Sequence, residues 1–266
     1  MTSYHGGKQR IGKDIAKTIS KVVQESIQDT EPIKGYCEPF CGMLGVYQHI
    51  PFIVPFNNEY EFLAGDMNKS VIHMWKKAQT GWTPPLKCPE ERYEELRQTS
   101  DSSAEKGFIG HQYSYGGLYF KAYRCKYQKK QDCPSAARKV RRIAEDLKEV
   151  IFSHGDYTQF SHLKGHVIYC DPPYNSASYY DEDHNMTSFD KDKFWVWCSF
   201  MAQKNMVFVS EYDLPPDKYS FEVTYKKNVK ITGRTIKDGN RTELLILFYN
   251  KHASIHQDTD GKDNHN

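Results

Sequence analysis

The residues with the clearest chemical potential stand together at Asp171-Pro172-Pro173-Tyr174. They follow a short apolar run, Val167-Ile168-Tyr169-Cys170, whose length and β-branched content suit a buried strand. Neither proline can donate a backbone N–H, so the pair stops both a helix and a ladder. An acid, two rigid carbonyls and an aromatic ring are therefore displayed at a strand's C-terminal end. In an open α/β sheet that edge is where ligands bind.

Four further stretches carry groups of this kind. In Tyr4-His5-Gly6-Gly7-Lys8 the paired glycines either let the backbone pass close to a ligand, with Lys8 placed to meet a carboxylate or phosphate, or form a plain turn. Residues 36–46 (YCEPFCGMLGV) read as a strand entering a glycine turn, with a helix starting over 46–50. That places backbone amides and a helix N-terminus toward a ligand, although the run matches neither GxGxxG nor the phosphate loop. Residues 62–66 (FLAGD) are a short strand ending in Asp66, which could take ribose hydroxyls or cap a helix over 68–79. Asp156-Tyr157 closes a strand or turn over 152–160. That pair could bond and stack on an adenine ring, while a turn would choose Gly-Asp as readily.

The elements that must position these groups alternate between strand and helix. Helical spacing of Ile15, Ile19, Val22, Val23 and Ile27 predicts an amphipathic helix over 13–29. Residues 90–97 and 135–150 read as helices, the second basic in its first half, and 191–203 as a helix with two tryptophans. A strand is expected over 205–212. An antiparallel pair is expected over 221–231 and 243–249, joined by the basic loop 232–241. Residues 176–190 read as a mobile loop over the site, and 251–266 as a disordered tail. The result is an α/β, Rossmann-like sheet with an insertion over 80–148.

That insertion is the least ordinary part. Residues 107–130 interleave Phe108, His111, Tyr113, Tyr115, Tyr119, Phe120, Tyr123 and Tyr127 with Lys121, Arg124, Lys126, Lys129 and Lys130. Such interleaving suits base stacking and phosphate contact, and outweighs a reading as plain core. Between Lys121 and Arg142 nine Lys or Arg face one acid, Asp132, although the whole chain carries only +2. The local surplus suggests a polyanionic partner, or else a solvated helix face.

Composition removes other classes. With 266 residues, 26 % charged and 14 % aromatic, the chain is globular and long enough for one large core, with or without an appendage. Seven cysteines without CxxC pairs fit neither a disulfide framework nor a zinc site, so reduced, buried thiols are expected and no metal. No apolar run approaches a membrane span and the first residues lack a signal core, so a soluble, intracellular protein is expected.

From Tyr4 to about Tyr249 the order of these pieces resembles the D12 class of DNA adenine-N6 methyltransferases, the Dam-like family. The shared order is GGK, EPFxG, an acid followed by Asn68, an inserted recognition region, DPPY and a final ELL strand. The resemblance implies an S-adenosylmethionine-dependent methyltransferase sheet, over 1–79 and 149–250, with a mostly helical target-recognition domain inserted at 80–148. It implies a cofactor site made by Tyr4, Gly7, Lys8, Glu38, Pro39, Phe40, Gly42, Asp66, Asp156, Tyr157 and Asp171. Lys8 would meet the methionine carboxylate, Asp66 the ribose, and Asp156 with Tyr157 the adenine. The partner it implies is double-stranded DNA, contacted by Tyr115, Lys121, Arg124, Lys126, Lys129 and Lys130, with Tyr115 wedged into the duplex.

In that reading Asp171 and the Pro172 carbonyl accept the two N–H bonds of an adenine amino group, drawing its nitrogen toward a tetrahedral, more nucleophilic state. Pro173 stiffens the turn and Tyr174 stacks on the base, which must be flipped out of the duplex. The chain departs from the family in two places. Leu44 stands where the family's second glycine is usual, and Phe120 where GATC-specific members carry a guanine-reading arginine, with Lys121 and Arg124 close by. A bare DPPY is also shared with enzymes that methylate amino nitrogens on RNA bases or on protein glutamine. The leading aspartate, the motif order and the basic insertion favour DNA adenine.

Overall fold

Seven strands form one sheet in the computed structural model, which describes residues 6–26, 33–50, 60–124, 133–173, 179–180, 186–187, 189–230 and 240–249. The strands are β1 (Gly35–Glu38), β2 (Glu61–Asp66), β3 (Ile151–His154), β4 (His166–Cys170), β7 (Met206–Glu211), β8 (Phe221–Lys230) and β9 (Asn240–Phe248). A two-stranded pair, β5 (Tyr179–Tyr180) with β6 (Met186–Thr187), lies between β4 and β7 in the chain. The sheet order is β3-β2-β1-β4-β7-β9-β8. Its first five strands are parallel, and β9 runs antiparallel to both β7 and β8. The order reverses between β1 and β4, so the crevice at their carboxyl ends is the switch point of a doubly wound, Rossmann-like sheet.

Alternation along the strands builds a core on each face. Tyr36, Val167, Tyr169, Phe208 and Leu245 point to the side covered by α1 (Gly12–Ser26) and α2 (Lys69–Gln79). Cys37, Ile168, Cys170, Val207, Val209 and Leu244 point to the other side, which α6 (Lys191–Met201) covers with Phe194, Trp195 and Cys198. Burying each large apolar side chain contributes about 1.5–3 kcal/mol, which is why both faces must be roofed. The six described cysteines are buried.

Local signals set the ends of the helices. Asn68 caps α2 by accepting from Val71 N–H at 3.1 Å, and Asp190 caps α6 by accepting from Lys193 N–H. Asp66 is therefore not the α2 cap. Helix α1 holds the expected Ile15 and Ile19 on its buried side and is described to Ser26. The turn expected to open a helix at 46–50 is one 3-10 turn, Tyr47–His49.

The insertion corrects one expectation. Helices α3 (Glu90–Gln98) and α5 (Pro134–Asp146) fall where helices were expected, and α4 (Ala104–Gln112) is a helix the sequence reading did not include. Yet Phe108, Tyr113, Phe120 and Tyr123 are buried together with Tyr93, and His111 is buried beside them. These rings form the insertion's own core and are covered, so they offer no face to a base. Gly107 and Gly110 lie inside α4 for a packing reason. A Cβ at Gly107 would lie 2.1 Å from the Ser70 carbonyl oxygen, and one at Gly110 would lie 2.3 Å from the Tyr119 ring. Small residues let α4 close against α2. The same apolar cluster continues from Tyr93 and Val140 into Trp75, Phe152 and Val167 of the sheet side. Gln79 fastens the junction, its Nε2 donating to the carbonyls of Leu147 and Val150 at 2.9 Å.

Candidate active site

Strand parity brings the chemistry to one face of the switch-point edge. Tyr36 and Glu38 on β1, Tyr169 and Asp171 at the end of β4, Ser210 and Tyr212 at the end of β7, and Glu243 on β9 share the side roofed by α1. Lys8 enters the same place from the loop before α1, and its side chain is only 4 % exposed. Its ammonium lies 2.5 Å from Asp171 Oδ1 and 3.5 Å from Glu243 Oε1, and donates to the Gly6 carbonyl at 3.1 Å. Burial alone would push the Lys8 amine down, but Asp171 and Glu243 outweigh it and the net direction is up. Lys8 is thus directed at two acids. Meeting a cofactor carboxylate would require it to give up one of these contacts.

Glu38 is buried and its Oε1 accepts the Tyr36 hydroxyl at 2.8 Å. Burial raises its carboxyl well above the usual range, the Tyr36 hydrogen bond pulls it back, and the Asp171 charge raises it again. Tyr169 O–H and Ser210 Oγ are hydrogen-bonded at 2.8 Å under the Asp171 turn. Pro172 is buried, whereas Asp171 and Pro173 are partly open.

The loop after β1 is pinned from three sides. Cys41 N–H donates to the Gly65 carbonyl, Gly42 N–H to Asp66 Oδ2 at 2.9 Å, and Trp75 Nε1–H to the Gly42 carbonyl at 2.8 Å. Leu44 takes the left-handed conformation, with φ of 53°, at the position where the family usually has glycine. Its side chain is fully buried, and its N–H closes a turn on the Cys41 carbonyl. Burial of the leucine side chain offsets the backbone strain.

Asp66 ends β2 almost buried. Burial raises its carboxyl, while N–H groups of Asn68 and Gly42 counteract that rise. A carboxylate has about four acceptor positions, so these two N–H bonds leave Asp66 the capacity to take a vicinal diol as well. Asp156 accepts from Thr158 N–H at 2.9 Å and so caps the turn over Tyr157–Phe160. Tyr157 is buried in an aromatic box with Phe40 stacked at 5.5 Å, Trp197 at 5.1 Å and Phe194 at 5.4 Å. Its ring thus packs against protein, and Phe40, half-buried, is the box's outer member. Pro39 is buried and Gly7 partly open.

Tyr115 is 56 % exposed at a hairpin tip, beside Gly116 and Gly117, both with positive φ. The hairpin is tied by Tyr115 N–H to the Ala122 carbonyl and Arg124 N–H to the Tyr113 carbonyl, both at 2.8 Å. Lys121 is exposed on that turn, while Arg124 is half-buried over the Tyr113 ring and donates to Cys133 Sγ. Tyr4, Lys126, Lys129, Lys130 and Tyr174 lie outside the described residues, as do the tail 251–266 and most of 176–190 and 232–241.

Three contributors were not foreseen: Glu243, Trp75 and Tyr212. Glu243 had a readable signal, being an acid at an inward position of the apolar strand ELLILF. Trp75 had none, since a helical tryptophan looks like core until its N–H finds Gly42.

The fold is a Rossmann-like sheet with the Asp171 turn at its switch point, and a family match supports a methyltransferase that uses S-adenosylmethionine. More narrowly, residues 107–232, just under half of the chain and including the Asp171 turn, match the model of the D12 class N6 adenine-specific DNA methyltransferase family. No curated protein matches. Among solved structures, a putative RNA methyltransferase PH1948 from Pyrococcus horikoshii is 11 % identical over 89 % of this chain and 84 % of its own, with a TM-score of 0.39. Magnesium protoporphyrin IX methyltransferase from Synechocystis PCC 6803, with bound S-adenosylmethionine, is 11 % identical over 91 % and 81 %, with a TM-score of 0.36. The Type I restriction enzyme EcoKI M protein is 13 % identical over 91 % of this chain and 44 % of its own, with a TM-score of 0.37. Scores of this size say nothing about substrate. Among the described residues no helix is long and apolar enough to cross a membrane, and no cluster of three or more His, Cys, Asp or Glu could hold a metal ion.

Proposed function

We propose that the chain methylates N6 of an adenine flipped out of double-stranded DNA. The observation that carries this reading is the Asp171-Pro172-Pro173 turn at the switch point, with the Asp171 carboxylate fixed by Lys8 at 2.5 Å. An amino nitrogen conjugated to a purine ring is a poor nucleophile, because its lone pair is delocalised. Asp171 and the Pro172 carbonyl accept its two N–H bonds and localise the lone pair on nitrogen. The prolines hold the acceptors in place, so little reorganisation accompanies the step. The cofactor's sulfonium supplies an activated methyl group when bound. Asp66 takes its ribose hydroxyls, and Gly7, Glu38, Pro39, Phe40 and Gly42 line its path from the pinned loop. Asp156 and Tyr157 support that wall from behind through the Phe40 stack. Tyr174 would stack on the target base.

Residues 80–148 are the target-recognition part, with Tyr115 as the side chain that enters the duplex and Lys121 on the phosphates. Arg124 braces the hairpin that presents Tyr115, and Lys126, Lys129 and Lys130 add charge next to it. An exposed aromatic on a glycine-flanked, hydrogen-bonded tip is the feature that supports this assignment. GATC is a weaker proposal for the target, because buried Phe120 occupies the place of a guanine-reading arginine. The test is transfer of label from S-adenosylmethionine to duplex DNA, RNA or peptide, with Asp171→Ala beside the wild type. DNA labelling that falls at least about 100-fold in the variant is expected. Label in RNA or peptide alone, or full activity in the variant, would sink the reading.

A further inference from the structure

We infer that Glu243 is a positioning residue of this site, acting on Asp171 through Lys8. Strand β9 lies two places from β4 in the sheet, with β7 between them. Lys8 spans that gap, its ammonium 2.5 Å from Asp171 on β4 and 3.5 Å from Glu243 on β9. Glu243 is 2 % exposed, so its charge is held inside the protein and aimed at Lys8. A buried carboxylate beside the apolar run Leu244–Phe248 costs stability unless it is paired, and it faces the Lys8 ammonium. Without Glu243 the Lys8 side chain loses one of its tethers and keeps those to Asp171 and Gly6. It can then follow Asp171 as that carboxylate moves, where at present it restrains it.

The cluster also fixes charge. Glu38 from β1, Tyr169 from β4, Tyr212 from β7 and Glu243 from β9 all face the Lys8–Asp171 pair, and Arg241 lies over the Tyr212 ring at 5.6 Å. Glu243 adds negative charge beside Asp171 and competes with it for the same ammonium. Removing that charge makes Asp171 easier to ionise.

The inference rests on the methyltransferase role of Asp171, and its test is a comparison of Glu243→Gln and Glu243→Asp with the wild type on the acceptor that takes label. Glu243→Gln is expected to lower kcat about 10- to 100-fold with the KM for S-adenosylmethionine unchanged. It should also move the acid limb of kcat/KM to lower pH, while Glu243→Asp keeps the limb in place. A loss of kcat with an unmoved acid limb, or no loss at all, overturns the inference. A wild type that labels RNA or peptide rather than DNA removes the DNA assignment alone, since the comparison then runs on that acceptor. A wild type inactive on all three leaves thermal melts of Lys8→Met, Glu243→Gln and the double variant to decide. Additive losses in Tm overturn the Lys8–Glu243 link, and a double variant more stable than either single one upholds it.

Discussion

Glu38 is held where an anion is expensive. Its carboxyl is fully enclosed beside Asp171, and burial raises it well above the usual range. A group whose folded-state value is raised stabilises the fold below its unfolded value and loses that contribution as pH rises through the folded one. Glu38→Gln keeps an acceptor for the Tyr36 hydroxyl and removes the charge. The variant should melt higher than wild type at pH 7–8, by an amount on the order of 1–2 kcal/mol, with the difference vanishing toward pH 4. Methyl transfer should fall in the same variant. Melting curves across pH check the first part, and a variant less stable at every pH would refute it. Single residues were legible where the motif is local: Asp171, Lys8, Gly42 and Asp66 all reach the switch-point edge. What joins them was not, because Lys8 meets Glu243 only through the sheet order, and no spacing along the chain encodes that.

At the level of elements, the packing of α4 on α2 is the sharpest constraint. Gly107→Ala puts a methyl group against the Ser70 backbone, which cannot rotate away as a side chain could. The change should destabilise by about 1–3 kcal/mol in chemical denaturation, although alanine is the better helix former by about 1 kcal/mol. A neutral or stabilising result would mean the two helices do not sit this close. The same pair of glycines explains why 107–130 misled the sequence reading. Gly, Tyr and Lys together look like a binding loop by composition, and a helix packed through glycine has no distinctive period. Strands were easier, because β4, β7 and β9 are short apolar runs with clear stops. Their order in the sheet, with β9 between β7 and β8, needed the structure.

For the whole molecule, the shared apolar cluster argues against independent halves. Tyr93, Val140, Trp75 and Val167 belong to one contiguous core, and Gln79 ties α2 to the approach to β3. Thermal unfolding should therefore show one calorimetric transition, and two resolved transitions would show that residues 80–148 melt separately. The fold class was legible because strand and helix patterns alternate. The cohesion of the insertion was not, since a basic, aromatic composition says nothing of which rings face inward.

The place of β9 has one more consequence, for the order of synthesis. Lys8 is made well before the acid that faces it, which belongs to the last described sheet strand, inserted between two strands already made. A ribosome adding about 5–20 residues per second needs several seconds more to reach Glu243 after Asp171 has been made. The Lys8 cluster is thus completed late, after residues 80–148 have emerged and had time to pack. A nascent chain in which residues 80–148 are already packed still lacks the carboxylate that faces Lys8.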